Sequence, residues 1–408
     1  MTSARWRIAW VVSAAIAISY FDRQTLSIAV AAIQREFPIT NTQFSQLQAA
    51  FLLAYAFMYA GGGRLIDALG TKRGFLVIMI GWSLACASHG LATGFAMLAV
   101  SRFLLGLGEG GGFPAATKAV AEWFPPGERA TAMGIINAGT AIGAVVAPPA
   151  IAAVLGVASW RWVFFISGAA GFAWVLVWVR SYETPRDEEV RVTPGETTQM
   201  AWTRLLTFPQ VWGLVLAKFL SDAAWFFYLF WLPKYLYDVR HFDVKAVGAF
   251  AWIPYAASGV GCLAGGAFSS WLLRRGWSLD AARKIALGAS AALMPAIVLV
   301  TSVPVDAAIV LFSIAFFGQQ SWSTLVMIVP ADVFPRSVVA SVAGLVGFGG
   351  AMGGVVFNLV AGRLLDAGFG YGVVFAIVGS FHVIAFGIIL LTVRRIQPLR
   401  PPLREESP

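Results

Sequence analysis

The chain has 408 residues, 59% of them hydrophobic and only 12% charged, with a formal net charge of +9. Soluble domains are nearer half apolar and a quarter charged, so this composition excludes a soluble globular protein and points to an integral membrane protein. The basic residues lie in short runs between apolar segments, a pattern that suits a membrane topology and argues against a nucleic-acid-binding surface.

Apolar runs predict twelve spans, at approximately 8–33, 43–66, 74–92, 95–119, 130–155, 160–180, 209–235, 245–273, 281–302, 306–329, 337–364 and 371–393. Asp22 and Arg23 lie inside the first apolar run, which lacks a cleavage pattern, so it is expected to stay as the first span. The stretch 181–208 is the only markedly polar one inside the chain. It divides the spans into an N-terminal six-helix bundle over 1–180 and a C-terminal six-helix bundle with a tail over 209–408, joined by a cytoplasmic linker. With both termini inside, Arg5, Arg7, Arg64, Lys72, Arg73, Arg129, Arg180, Arg186, Arg191, Arg204, Arg274, Arg275, Arg283, Lys284, Arg336, Arg394, Arg395, Arg400 and Arg404 gather on the cytoplasmic side. The other face keeps Arg35, Arg161, Lys234, Arg240, Lys245 and Arg363. Arg23, Arg102, Lys118 and Lys218 are left for the membrane region.

In span 1, Asp22 and Arg23 sit halfway along an apolar helix. Neighbours on a helix diverge by about 100°, so each can face a different partner in a cavity, or the two serve structure alone. Span 2 carries Tyr55 and Tyr59 one turn apart, placed either to hydrogen-bond a sugar-like ligand or to pack between helices. Asp67, Gly70, Lys72 and Arg73 follow as a compact charge network, expected to act as a conformational latch. In span 4, Arg102 and Glu109 stand roughly 10 Å apart along one side of a helix. Gly106, Gly108, Gly110, Gly111 and Gly112 surround the glutamate. Such residues face a bundle interior or a water-filled path as ion or substrate groups, or form a buried structural pair.

Span 7 places Lys218 and Asp222 one turn apart, with Trp225 and Tyr228 beyond. In span 10 the run Gln319, Gln320, Ser321, Trp322, Ser323, Thr324 fits a hydroxyl-rich ligand or polar contacts between helices. Span 11 carries many glycines ahead of Asn358, which permit tight packing and bending. Cys86 and Cys262 lie in opposite halves, and His89, His241 and His382 lack ligands at metal spacing. No metal, cofactor or enzymatic activity is expected, and the protein is expected to be a monomer. A membrane sensor or structural bundle is the rival class; no appended soluble domain is expected for this sequence, and its intramembrane charges are spread over both halves, which favours transport.

The loop from Gly61 to Arg73 resembles the signature loop between the second and third helices of the major facilitator superfamily; its second-half counterpart, 265–276, lacks the aspartate. The stretch from Tyr20 to Ser27, the Arg102 to Ala115 segment, the run from Glu122 to Ala130 and the run from Asp222 to Pro233 resemble the anion:cation symporter family. The last of these, with Pro254 and the 274–278 run, is most similar to bacterial hexuronate transporters. The resemblance implies an all-α fold of twelve transmembrane helices in two bundles in a bacterial inner membrane. It further implies proton-coupled symport of glucuronate or galacturonate by alternating access. Galactonate, glucarate or another small organic anion is the alternative, and drug efflux a further one. It also implies that Asp22 and Glu109 are the protonatable carboxylates, that Arg23 meets the substrate carboxylate, and that Arg102 holds or exchanges with Glu109. Tyr55 and Asn358 are implied as polar groups around the substrate. A sugar acid needs a cation near its carboxylate and hydrogen-bonding groups around its hydroxyls, so Tyr228, Gln319, Gln320, Ser321 and Trp322 join the expected substrate site.

Overall fold

The computed structural model describes residues 2–124, 126–183, 205–334 and 336–397. The described residues are almost entirely helical. In chain order the helices are α1 (Thr2–Gln34), α2 (Asn41–Leu69), α3 (Thr71–His89), α4 (Phe95–Gly110), α5 (Gly112–Trp123), α6 (Pro126–Leu155) and α7 (Trp160–Ser181). They continue as α8 (Pro209–Asp238), α9 (Val244–Phe250), α10 (Trp252–Arg274), α11 (Leu279–Ala292), a 3-10 helix (Met294–Ser302), α12 (Val305–Val333), α13 (Arg336–Asp366) and α14 (Gly370–Thr392). Among the described residues, eight helices or helix pairs are long and apolar enough to cross a membrane by length and composition alone.

Three of the expected spans are interrupted. Span 4 breaks at Gly111 between α4 and α5, inside a run of three glycines followed by Pro114. Span 8 breaks at Ala251, because Pro254 in the first turn of α10 has no N–H to offer the preceding turn. Span 9 tightens into a 3-10 helix where Pro295 stands in its first turn. The ends elsewhere follow from capping. Thr40 and Gln43 form a reciprocal capping box at the start of α2, and the Asp243 and Ser278 side chains accept from the first turns of α9 and α11. Gly70 adopts φ 75° between α2 and α3, a backbone state that glycine takes without the Cβ clash.

Helices before residue 183 pack chiefly among themselves, α1 on α6 and α7, α2 on α4, and α3 on α4 and α7. Those after residue 205 do likewise, α8 on α13 and α14, and α10 on α12. The halves of the chain meet through α2 against α13, α6 against α9 and α10, and α1 against α8. Backbone approach within the first half is close. A Cβ on Gly106 would fall 2.2 Å from the Phe51 carbonyl oxygen, so only glycine lets α4 lie this near α2.

At one end of the molecule the halves are tied together. Asp366 at the end of α13 accepts from the backbone N–H groups of Asn41 (3.0 Å) and Thr42 (2.7 Å), the Tyr237 hydroxyl donates to the Ile28 carbonyl (2.8 Å), and Phe44 meets Trp231 edge to face. On the same side, Arg161 holds Glu36 at 2.5 Å with help from the Trp160 indole N–H. Hydrogen bonds from Arg161 and Trp160 pull the Glu36 carboxyl down from its ordinary value of 4.5 to about 2. A depressed folded-state value gives stability that is present above the unfolded value and lost as pH falls toward 2, so Glu36 keeps one charge across about pH 5 to 8. Glu36→Gln is therefore expected to leave the shape of any pH profile in that window unchanged, as measured by uptake at graded pH.

Candidate functional site

Asp22 and Arg23 are buried at mid-length in α1, and their side chains diverge as helical geometry requires. Asp22 turns into its own half. Its carboxylate accepts from the Trp82 indole N–H of α3 (2.6 Å) and from the Ser167 hydroxyl of α7. Arg23 turns the other way. Its Nε donates to Glu109 Oε2 at 2.8 Å, and Ser19 donates to the same oxygen at 2.7 Å. The side chains of Arg23 and Glu109 are 3% and 0% exposed, so this pair is desolvated. The guanidinium also lies 4.5 Å from the Tyr20 ring centroid and 4.7 Å from that of Tyr55, and the electron-rich faces hold the charge where water cannot.

The glutamate's partner thus comes from α1. Arg102, on the same helix as Glu109, instead donates to Gln48 Oε1 of α2 and lies 4.7 Å from the centroid of Phe51 and 5.9 Å from that of Phe230 on α8. Its Nε and Nη1 find no partner among the described residues, and neither does Glu109 Oε1. Phe51 separates the two arginines, standing within 5.6 Å of Arg23 as well. The result is an arginine paired with a carboxylate, an arginine satisfied only by an amide and rings, and an aspartate held by neutral donors.

A cavity of about 1980 Å³ lies between the two halves of the chain. Tyr20, Tyr59, Asn137 and Thr140 line one wall, and Trp225, Gln320, Ser323 and Thr324 the other. It extends to Ile66, Lys118, Met327 and Ser341, near the helix ends that carry the arginine-rich loops, away from the end tied by Asp366. Arg23, Tyr55, Arg102 and Glu109 are not on its surface. Tyr20, which stacks on Arg23, stands between them and the cavity.

The polar run of span 10 does not act as one cluster. At 100° per residue its members take different faces. Gln320 and Ser323 line the cavity, whereas Ser321 exchanges a 2.8 Å hydrogen bond with Ser290 of α11, and Trp322 packs on His382 and Phe386 of α14. Ser321 and Trp322, both expected at the substrate site, here make contacts between helices and lie off the cavity surface. Gln319 is buried off the cavity surface, its Oε1 unpartnered among the described residues. Tyr228 is wholly buried against Phe227 and Phe316, with its hydroxyl similarly unpartnered. Asn358 accepts from the Trp231 indole (2.8 Å) and donates to the Gly354 carbonyl (2.7 Å), so its amide is already engaged within the second half.

Lys72 and Arg73 stand at the start of α3, where the Lys72 carbonyl accepts from the Trp178 indole at 3.1 Å. The side chain of Asp67 lies outside the described residues, as does the linker stretch 184–204. Trp82, Ser167, Ser19, Gln48 and Tyr20 surround the buried charges and were not singled out from the sequence. Ser19, Gln48 and Ser167 carried a usable signal, a lone polar side chain inside an apolar span.

A helical membrane protein with buried charges beside a cavity between two halves has the form of a transport protein rather than an enzyme. Residues 12–358 match the family model of the Major Facilitator Superfamily, and the chain belongs to that superfamily. It is 32% identical to the hexuronate transporter of Escherichia coli (strain K12), over 97% of this chain and 95% of that one. It is also 32% identical to the galacturonate transporter of Dickeya chrysanthemi, over 64% of this chain and 80% of that one. Its fold matches the crystal structure of a bacterial homolog of the human lysosomal transporter Spinster with a TM-score of 0.79 at 18% identity, covering 95% of this chain and 97% of that one.

Proposed function

We propose that this chain is a proton-coupled symporter of the bacterial inner membrane that imports a hexuronate, glucuronate or galacturonate, by alternating access between two six-helix bundles with both termini cytoplasmic. The observation that carries this reading is the desolvated Arg23–Glu109 pair behind the cavity wall at Tyr20. A carboxylate-bearing substrate needs a cation in a low-dielectric site, and arginine supplies two parallel donors. Here the cation is occupied by a protein carboxylate. A proton delivered to Glu109 cancels that charge and frees Arg23 for the substrate carboxylate, so proton and substrate favour each other's binding. Asp22, held by neutral donors, is the second group proposed to take a proton. Similarity to a hexuronate transporter and a galacturonate transporter supports a sugar acid over a lipophilic drug.

The cavity's reach toward the arginine-rich helix ends, with the opposite end tied by Asp366, supports an inward-open state. In that cycle Asp67, Lys72 and Arg73 act as the cytoplasmic latch. Asp67→Asn is expected to shift the balance between inward-open and outward-open states without altering the central site. Distances between spin labels on the cytoplasmic helix ends read this directly, and unchanged distance distributions remove the latch from the account. The functional reading is tested by offering a panel of labelled sugar acids to proteoliposomes with and without an imposed pH gradient. Concentrative uptake of a hexuronate under the gradient is the expected result.

A further inference from the structure

Just behind the cavity wall facing Tyr20 and Tyr59, at Ser323 and Trp225, stands a pair of charges for which the account above has no use. Lys218 Nζ of α8 donates to Asp222 Oδ1 at 2.7 Å and to the Ser323 hydroxyl of α12 at 2.9 Å. The Lys218 and Asp222 side chains are 8% and 12% exposed, less sealed than the Arg23–Glu109 pair, and Ser323 and Trp225 beside them line the cavity. Asp222 Oδ2 lies over the backbone of α13, where a Cβ on Gly350 would stand 2.2 Å from it, so the glycine makes the room that this carboxylate occupies.

We infer that Lys218, Asp222 and Ser323 form the hydroxyl-binding pole of the substrate site, opposite the Arg23 pole that takes the carboxylate. The inference rests on the sugar-acid reading above and adds the part of the substrate that this wall recognises. The ion pair is neutral overall, so it offers no net attraction to a second negative group. It does present a carboxylate oxygen that accepts from a hydroxyl, beside an ammonium and a serine hydroxyl that donate to one, the complement of a vicinal diol. Trp225 next to it supplies an apolar face for the C–H side of a sugar ring. A small organic anion without hydroxyls makes no use of this wall, and a polyhydroxylated one does.

The test is a cycle between protein and ligand, read as dissociation constants in the purified full-length protein. Glucuronate and a series of deoxyglucuronates, each lacking one ring hydroxyl, are compared on the wild type, on Ser323→Ala, and on Lys218→Met/Asp222→Leu, which removes both charges together and leaves no buried ion unpaired. In the wild type, loss of the contacted hydroxyl is expected to weaken binding about tenfold or more. In the double variant glucuronate itself weakens by a similar factor, and the deoxy analogue is no worse than glucuronate. An equal penalty for every deoxy analogue in wild type and variants assigns the pair to helix packing and overturns the inference. Should the double variant fail to fold, Ser323→Ala decides by the same ratio. A wild type that binds no sugar acid, while taking up an anion without hydroxyls, overturns the substrate reading itself and this inference with it.

Discussion

Glu109→Gln is expected to abolish accumulation driven by a pH gradient while leaving substrate binding and counterflow exchange measurable. Glutamine keeps the shape of the side chain and a hydrogen-bond acceptor for Ser19 and Arg23, but it carries no charge and takes up no proton. Arg23 is then permanently free of its carboxylate partner, the state proposed for the protonated carrier. Substrate can bind and cross, and nothing ties its movement to a proton. A purely structural ion pair predicts otherwise. Breaking a buried pair on one side leaves an uncompensated charge at a cost of about 3 to 5 kcal/mol, and the protein would fold poorly or still concentrate its substrate. Driven uptake and exchange measured in the same liposomes separate these outcomes, and proton-driven accumulation by folded Glu109→Gln defeats the coupling mechanism.

Arg23→Ala carries the second large effect. Removing the cation that meets a desolvated carboxylate costs about 2 to 5 kcal/mol of binding, roughly thirtyfold to several-thousandfold in affinity. The loss is not confined to charge, because the guanidinium also covers the faces of Tyr20 and Tyr55. Arg23→Lys is expected to restore the charge without the planar fork and the stacking, and so to recover only part of the affinity. Calorimetric titration with glucuronate reads both variants. Wild-type affinity in Arg23→Ala removes this residue from the substrate site and passes the role to Arg102, whose Nε and Nη1 are buried without a partner among the described residues.

The periodic apolar runs made the helices legible, and the divergence of Asp22 from Arg23 followed from 100° per residue alone. The breaks in spans 4, 8 and 9 were carried by Gly111, Pro254 and Pro295, all visible in the sequence but outweighed there by the length of the surrounding apolar run. The partner of Glu109 was not legible in the same way. Spacing along α4 favours Arg102, whereas the actual contact is with Arg23 of α1, and depends on how α1, α2 and α4 pack, down to the approach of Gly106 to the Phe51 carbonyl. Such long-range contacts leave no mark in one helix's periodicity. The position of Ser321 and Trp322 off the cavity surface is a different case. Four consecutive helical residues cannot share one face, so their separation from Gln320 and Ser323 followed from the same geometry that divided Asp22 from Arg23.

The most direct test of proton-coupled sugar-acid import is the proton movement itself. Purified protein in weakly buffered liposomes, with no imposed gradient, is given glucuronate on the outside while external pH and labelled glucuronate entry are followed together. The account predicts that the medium turns alkaline as glucuronate enters, in fixed proportion to it, and that Glu109→Gln exchanges glucuronate without any such change. Glucuronate entry through the wild type with no accompanying proton uptake would contradict it.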